Sequence, residues 1–145
     1  MPISSPQNLE FSAKHLDEMR RAATAAYWDE CCGLLIGVGG DVVSVLDIRP
    51  SANLAADRSK GFAVDPQTQF DVLREVRGTS FRIIGHYHSH PNGLSRPSVH
   101  DIEMAYDPSA VWVIVPVEAG RAAAPRAFLL NRRGGYSEIQ VSVLP

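Results

Sequence analysis

The sequence predicts an α/β fold in three layers, with a mixed central β-sheet flanked by helices. Helical and extended patterns follow each other in the order helix, two strands, helix, strand, helix and further strands, which is typical of α/β proteins. Residues 111–115 form a run rich in β-branched side chains, as in strands that are buried on both faces. The helix patterns also begin at serine or aspartate residues, which are preferred helix caps.

A loose leader and a first helix are predicted at the N-terminus. Residues 1–8 carry two prolines among mostly polar side chains, a composition typical of poorly ordered termini. Residues 10–28 place apolar side chains on a helical stripe, and Ser12 is predicted to cap this helix. Tyr27 and Trp28 are expected to close the helix and to anchor it in the core.

A β-hairpin is predicted to follow. Residues 32–38 form an apolar run whose glycines indicate the close approach of a neighbouring backbone. The sequence Gly39-Gly40-Asp41 is typical of a hairpin turn, and residues 42–48 are predicted to return as a second strand. Residues 49–61 are irregular and allow two interpretations, a loop across a substrate groove or a solvated connection.

A second helix is predicted to begin at Asp65, with Pro66 at its first position. Residues 62–64 before it are predicted to form a short edge strand. The helix is expected to end at Gly78. Its apolar face is assigned to Phe70, Val72, Leu73 and Val76.

The second half of the chain is predicted to consist mainly of strands. The strand patterns cover residues 81–88, 111–115, 127–130 and 136–144, with turns at residues 120–125 and 131–135. A short amphipathic helix is predicted over residues 98–106, between the first two of these strands.

Composition excludes several functional classes. The chain has 145 residues, of which 45% are hydrophobic and 21% charged, as expected for one globular domain over residues 1–145. A net charge of −2 gives no electrostatic basis for binding nucleic acid or an anionic membrane surface. No apolar run approaches the ~20 residues of a membrane span, and the N-terminus lacks the pattern of a signal peptide.

The two cysteines, Cys31 and Cys32, are adjacent. Consecutive Cα atoms lie ~3.8 Å apart, which is too close for an ordinary disulfide bond. No disulfide is therefore expected, and a cytoplasmic location is predicted.

Four of the five histidines lie within residues 86–100, and two of them are separated by one residue. His88 and His90 should point to the same side of a strand, because side chains alternate along it. Turn residues follow, and Ser98 and Asp101 then occupy the start of the predicted helix. Two imidazoles and one carboxylate provide three ligands with a fourth position open, the pattern of a catalytic zinc site. A zinc ion in such a site lowers the pKa of bound water to about 7.

Structural roles are also possible for these residues. The spacing Ser98-x-x-Asp101 is a variant of the capping box, in which the two residues stabilise a helix start. The pair His88 and His90 could serve packing or lie on the surface. His86 shares the strand face of His88 and could be a rival ligand, although its position further back on the strand favours packing near the site.

The spacing of His88, His90, Ser98 and Asp101 resembles the JAMM signature of the MPN-domain zinc metallopeptidases, of the small stand-alone prokaryotic type. The stretch from Glu30 through Cys31-Cys32-Gly33-Leu34 is similar to a second motif of that family. The resemblance covers nearly the whole chain and implies the MPN fold, which is layered like that of the cytidine deaminases. It implies that His88, His90 and Asp101 bind Zn²⁺, that Glu30 is the general acid/base, and that Ser98 stabilises the oxyanion.

The resemblance also implies a substrate class. The family includes enzymes that hydrolyse isopeptide bonds of ubiquitin or amide bonds at the C-terminal Gly-Gly end of ubiquitin-like sulfur-carrier proteins. The expected partner is thus a conjugate of such a carrier. The alternative is a non-catalytic MPN scaffold that binds partners. A nucleoside deaminase is disfavoured because its H-x-E and P-C-x-x-C motifs do not occur, and a single open site disfavours metal storage. Oligomeric state stays open.

Overall fold

The structure of the protein is a computed structural model that describes residues 6–131 and 133–145. The helices are α1 (Ala13–Ala26), α2 (Pro66–Val76) and α3 (Val99–Glu103). The strands are β1 (Asn8–Ser12), β2 (Cys32–Gly39), β3 (Val42–Ser51), β4 (Arg82–His90), β5 (Val111–Glu118), β6 (Arg121–Ala122), β7 (Arg126–Asn131) and β8 (Gly135–Leu144). In this part of the chain, no helix is both long and apolar enough to cross a membrane.

The strands form one mixed sheet, as predicted. Their order is β4-β2-β3-β1-β8-β7-β5-β6, and β4 also pairs with β5, so that the pairings close into a ring. Strand β4 is antiparallel to β2 and parallel to β5, while β1 is parallel to both β3 and β8. The strand that carries the histidine pair is therefore hydrogen-bonded on both of its edges.

Helices cover both faces of the sheet, which confirms the three-layer prediction. In β2, Leu35 belongs to the main core cluster together with Met19 of α1. Its neighbours Leu34 and Ile36 pack with Val72 of α2. Successive side chains point to opposite faces of a strand, so α1 and α2 lie on opposite sides. Strand β5 repeats this pattern: Val111, Val113, Val115 and Val117 join the main cluster, and Trp112 and Ile114 pack against the α3 region.

The prediction for the N-terminus was partly wrong. Residues 8–12 form β1 rather than the end of a leader and the start of a helix. Leu9 and Phe11 are fully buried, while the residues between and beside them are only half-buried, and this period of two is that of a strand. Ser12 does cap α1, since its hydroxyl oxygen accepts the His15 N–H at 3.2 Å. The leader prediction for residues 1–5 lies outside the described residues.

The structure also corrects the assignment of several large side chains to the core. Trp28 is 71% exposed and stacks on Tyr27. On α2, Phe70 is 65% exposed and Leu73 46% exposed, whereas Val72 is buried. Helix α2 meets the sheet through Val72 and Val76, which are four residues apart and so share one side of a helix. Phe70 and Leu73 lie outside this narrow stripe.

Most element boundaries differ modestly from the predicted ones. Strand β3 continues to Ser51, into the segment that was predicted to be irregular. Residues 62–64 do not form a strand, and only an isolated bridge joins Val64 to Asn53. Helix α3 is shorter than predicted and is capped by Ser98. Asp65 caps α2 as predicted, through its side-chain bond with the Gln67 N–H.

Gly85 permits the close approach of β4 and β5, and we expect Gly85→Ala to destabilise the protein. A Cβ atom at this position would lie 1.9 Å from the carbonyl oxygen of Val111, a backbone atom that cannot rotate away. Overpacking of this kind costs about 1–3 kcal/mol, occasionally more, and we expect the upper end of that range in urea denaturation. Gly40→Ala is the matched control, because a Cβ atom there meets nothing within 4 Å. Equal stability of the two variants would contradict this explanation.

Candidate metal centre

The histidine pair lies at the end of β4, on one side of the strand as predicted. Both side chains are buried, His88 completely, and their Nε2 atoms are 3.0 Å apart. The backbone here is fixed on both edges, because His88 pairs with Cys32 of β2 and with Ile114 of β5. The pairing of β4 on both edges therefore fixes the backbone that brings these two imidazole nitrogens together.

Asp101 approaches the pair from the first turn of α3. Its Oδ2 atom lies 3.3 Å from His88 Nε2 and 3.1 Å from His90 Nε2. The same oxygen accepts the Ser98 N–H at 2.9 Å, while the Ser98 hydroxyl oxygen accepts the Asp101 N–H at 3.0 Å. The capping box is thus present, and it directs the Asp101 carboxylate towards the two imidazoles. The helix-capping and metal-binding interpretations of this motif are therefore compatible.

The spacing of these three atoms fits a metal ion. Ligands bound tetrahedrally to zinc at 2.0–2.1 Å lie about 3.3 Å from one another, and the three observed separations are 3.0, 3.1 and 3.3 Å. Imidazole nitrogen and carboxylate oxygen are also the donors that zinc uses in catalytic sites. The donor set and its spacing therefore suit one divalent cation.

Contacts around the histidines fix the orientation of their rings. His90 donates its Nδ1–H to the Leu94 carbonyl oxygen at 2.9 Å, so Nε2 is the ring nitrogen that could bind a metal, once it carries no proton. The ring of Phe62 stacks on His88, with centroids 4.2 Å apart and planes 18° apart. Packing therefore orients His88, and a hydrogen bond orients His90.

The pKa values of the three groups reflect burial and mutual contact. Burial lowers the pKa of His88, an effect that the Asp101 carboxylate partly offsets. Burial acts in the same direction on His90, but the hydrogen bond and charge of Asp101 outweigh it and raise the pKa. Burial tends to raise the pKa of Asp101, yet the hydrogen bonds from the two histidines hold it below its usual range. Asp101 is therefore a carboxylate, ready to act as a ligand.

Glu30 lies beside the histidine pair, where α1 is connected to β2. A carboxylate oxygen of Glu30 and one ring nitrogen each of His88 and His90 all lie within 4.8 Å of one another. Glu30 is buried, and its Oε1 atom has no hydrogen-bond partner among the described residues. Burial raises the pKa of its carboxyl to about 8, an effect that the charge of His90 reduces and that of Asp101 reinforces. A buried polar atom without a partner is costly, so a cation or a reacting group beside Oε1 would be stabilising.

Two hydrogen bonds connect this part of the chain to the histidine strand. The Cys31 N–H donates to the Ser89 hydroxyl oxygen at 2.8 Å, and the Ser89 N–H donates to the Cys31 carbonyl oxygen at 3.1 Å. Ser89 lies between the two histidines, and Cys31 follows Glu30 directly. The carboxyl group is therefore held in register with the imidazoles.

The structure thus brings Glu30, His88, His90 and Asp101 to one centre, and Ser98 adjoins it through Asp101. His86 is not part of the group formed by Glu30 and the histidine pair. Its ring packs edge-to-face on Trp112, with centroids 4.3 Å apart, in agreement with the packing interpretation.

Sequence reasoning missed four contributors to the centre. Phe62 stacks on a histidine ring, Asn53 and Ser89 form side-chain hydrogen bonds to backbone, and Leu94 supplies a backbone carbonyl oxygen. The periodicity of the sequence predicts none of these contacts. Ser89 stood between the histidines, and its position was the only available signal. The four residues are Asn53, Phe62, Ser89 and Leu94.

Residues 12–130 match the family described as prokaryotic homologs of the JAB domain. The chain belongs to this family. The resemblance to the JAMM/MPN proteins is thereby confirmed.

Two curated relatives carry the name desampylase. The relative from Haloferax volcanii is 31% identical over 99 residues, which cover 68% of this chain and 70% of that protein. The relative from Pyrococcus furiosus is 27% identical over 147 residues, 99% of each chain. The second similarity extends over nearly the full length of both proteins.

Solved structures show the same fold. The solution structure of a protein from Desulfitobacterium hafniense superposes with a TM-score of 0.81 at 30% identity, over 94% of this chain and 92% of that one. A JAB1/MPN domain protein from Archaeoglobus fulgidus gives a TM-score of 0.54 at 22% identity, over 92% of this chain and 96% of that one. The latter likeness supports the MPN fold alone.

Proposed function

We propose that this protein is a zinc-dependent isopeptidase that hydrolyses an amide bond at the C-terminal Gly-Gly end of a ubiquitin-like or sulfur-carrier protein conjugate. The observation that carries the proposal is the buried Glu30 carboxyl, which lies close to the paired imidazoles and whose Oε1 atom has no hydrogen-bond partner among the described residues. The desampylase relatives support it, because that name denotes removal of a ubiquitin-like protein modifier.

His88, His90 and Asp101 would hold the ion. Asp101 is the third ligand in this proposal, because its oxygen lies 3.1–3.3 Å from both nitrogens, close to the spacing of ligands around a tetrahedral zinc ion. Three protein ligands leave one position open, as in catalytic rather than structural zinc sites. When bound, zinc supplies a Lewis acid that polarises a carbonyl group and lowers the pKa of a coordinated water to about 7.

Glu30 moves the proton in the proposed reaction. Its carboxylate accepts a proton from the attacking water and passes it to the leaving amine. Burial raises the pKa of this carboxyl in the absence of a metal, whereas a cation beside it favours the carboxylate form. These opposing effects suit a group that must both take up and release a proton.

Ser98 stabilises the developing oxyanion. Its hydroxyl oxygen already accepts the Asp101 N–H, so the hydroxyl proton can be donated to a substrate oxygen. A donor that is already oriented needs little rearrangement as charge develops. All five residues that the proposed reaction needs are present in this chain, which favours an enzyme over a non-catalytic scaffold.

The test uses carrier proteins with a defined leaving group. We would incubate zinc-loaded protein with a ubiquitin-like or sulfur-carrier protein that bears a peptide extension after Gly-Gly, and with one joined to a lysine side chain. Intact-mass measurement is expected to show loss of the attached group and release of a carrier that ends in Gly-Gly. An extension after Ala-Ala, and enzyme stripped of metal, are the controls. If protein that contains bound zinc leaves every Gly-Gly substrate intact, the proposed function is wrong.

A further inference from the structure

The side chain of Asn53 joins Glu30 to the loop that follows β3. Its Nδ2 group donates to the Glu30 carbonyl oxygen at 2.9 Å and to the Gly61 carbonyl oxygen at 3.0 Å. Its Oδ1 atom accepts the N–H groups of Ala55 at 3.0 Å and Ala63 at 3.1 Å. Both amide protons and the carbonyl oxygen are therefore engaged.

The backbone of Glu30 depends on this loop. Its N–H donates to the Arg58 carbonyl oxygen at 2.7 Å, and its carbonyl oxygen accepts from Asn53. Glu30 precedes β2 and so lies outside the hydrogen-bond pattern of the sheet. These two bonds hold its backbone instead. Within residues 6–131 and 133–145, the Glu30 Oε1 atom has no hydrogen-bond partner. The position of the carboxyl therefore follows from where the backbone is held.

We propose that Asn53 is a positioning residue that sets the distance between the Glu30 carboxyl and the histidine pair. The predicted effect of Asn53 on turnover rests on the proposed function. Its predicted effect on the position of the Glu30 backbone is independent of that function. Asn53 acts from the loop side of Glu30, while the Cys31–Ser89 bonds act from the strand side. Misplacement of a reacting group by 1 Å can reduce the rate about 10²-fold, so the loss of one anchor should appear in catalysis.

Two adjacent backbone amides provide a direct test. Hydrogen exchange measured by NMR in Asn53→Ala should be at least about 10-fold faster than in wild type at the Glu30 amide, because its acceptor lies in the loop that Asn53 organises. The Cys31 amide donates to Ser89 instead, and its exchange should be unchanged. General destabilisation of the protein would accelerate exchange at both amides. Comparing the Glu30 and Cys31 amides therefore separates a local effect from a global one.

Asn53→Asp separates the two halves of the side chain. Aspartate keeps an oxygen acceptor for Ala55 and Ala63, but it replaces the amide donor with an oxygen that faces the Glu30 and Gly61 carbonyl groups. Exchange at Ala55 and Ala63 should therefore stay slow while exchange at Glu30 becomes faster. In Asn53→Ala, all three amides should exchange faster.

Kinetics test the consequence for catalysis. In Asn53→Ala we expect kcat to fall about 10²-fold with KM and bound zinc unchanged, since neither a metal ligand nor the metal-binding backbone is altered. This variant introduces no new charge. The maximal rate in the pH–rate profile should therefore fall, while the pH values at which the rate rises and falls should not change. Asn131→Ala is the control, because it removes a similar side-chain bond, to the Arg133 N–H, in the β7–β8 turn.

Unchanged exchange at the Glu30 amide of Asn53→Ala would overturn the inference, whatever the activity. So would a kcat within twofold of wild type in a protein that cleaves Gly-Gly conjugates. If zinc-loaded wild type cleaves no conjugate, the proposed function fails, and the exchange measurement alone decides whether Asn53 holds Glu30. Faster exchange at Glu30 with Cys31 unchanged would then support it.

Discussion

Glu30→Gln is expected to reduce turnover by about 10²–10⁴-fold, the range that general acid–base catalysis contributes, while bound zinc stays at the wild-type level. Glutamine fills the same space but cannot accept a proton from water. In the described part of the chain, no group forms a hydrogen bond with Glu30 Oε1, so the fold there does not depend on a bond to that atom. The measurements are single-turnover cleavage of a Gly-Gly conjugate and metal content by elemental analysis.

The metal content of this variant decides between two roles. Glu30 lies within 4.8 Å of the same nitrogens that would bind the ion, and a ligand role would cause loss of zinc in Glu30→Gln. Retention of zinc with loss of turnover assigns Glu30 to proton transfer. Glu18→Gln makes the same chemical change at a half-buried position of α1 that pairs with Lys14, and it should leave both quantities unchanged. Near-normal turnover in Glu30→Gln would refute the assignment.

The local part of this centre was predictable from the sequence. Strand alternation places His88 and His90 on one side, and a capping box places Asp101 in the first turn of α3. Both depend on residues a few positions apart, and such relationships follow from backbone geometry. The structure adds that one Asp101 oxygen both accepts the Ser98 N–H of the cap and lies 3.1 Å from His90 Nε2.

The approach of Glu30 could not be derived from local pattern. It depends on the pairing of β2 with β4, where Cys32 lies opposite His88, and on the Cys31–Ser89 bonds. These contacts join distant parts of the chain. Only the resemblance to a family motif placed Glu30 at the site, because periodicity does not report which strands become neighbours.

The errors in the fold prediction arise where a pattern was short or ambiguous. Leu9 and Phe11 are too few to distinguish a strand from a helical stripe, and Phe11 fitted both. The α2 sequence offered Phe70 and Leu73 as well as Val72 and Val76, and the sheet covers only the second pair. Asn53 gave no periodic signal at all, since its bonds are made to backbone in an irregular segment.

Removal of the metal is expected to lower the stability of the wild-type protein, and His88→Ala should abolish this dependence. A ligand that binds only the folded state stabilises it by RT ln(1 + [L]/Kd), about 4 kcal/mol at a free concentration 1,000 times Kd. For a chain of this size, that corresponds to a fall in Tm on the order of 10 °C on adding a chelator. The reason is that three donors within 3.0–3.3 Å of one another form a complete binding group only when the chain is folded.

His86→Ala is the matched control for His88→Ala. Both residues are histidines on the same side of β4, both contact Trp112 and Phe62, and both substitutions remove an aromatic ring from the same region. Each variant will lose stability through the cavity it creates, so the informative quantity is the difference in Tm with and without chelator. This difference should vanish in His88→Ala and persist in His86→Ala. If it vanishes in His86→Ala instead, the rival ligand is the true one and the assignment of the metal site must change.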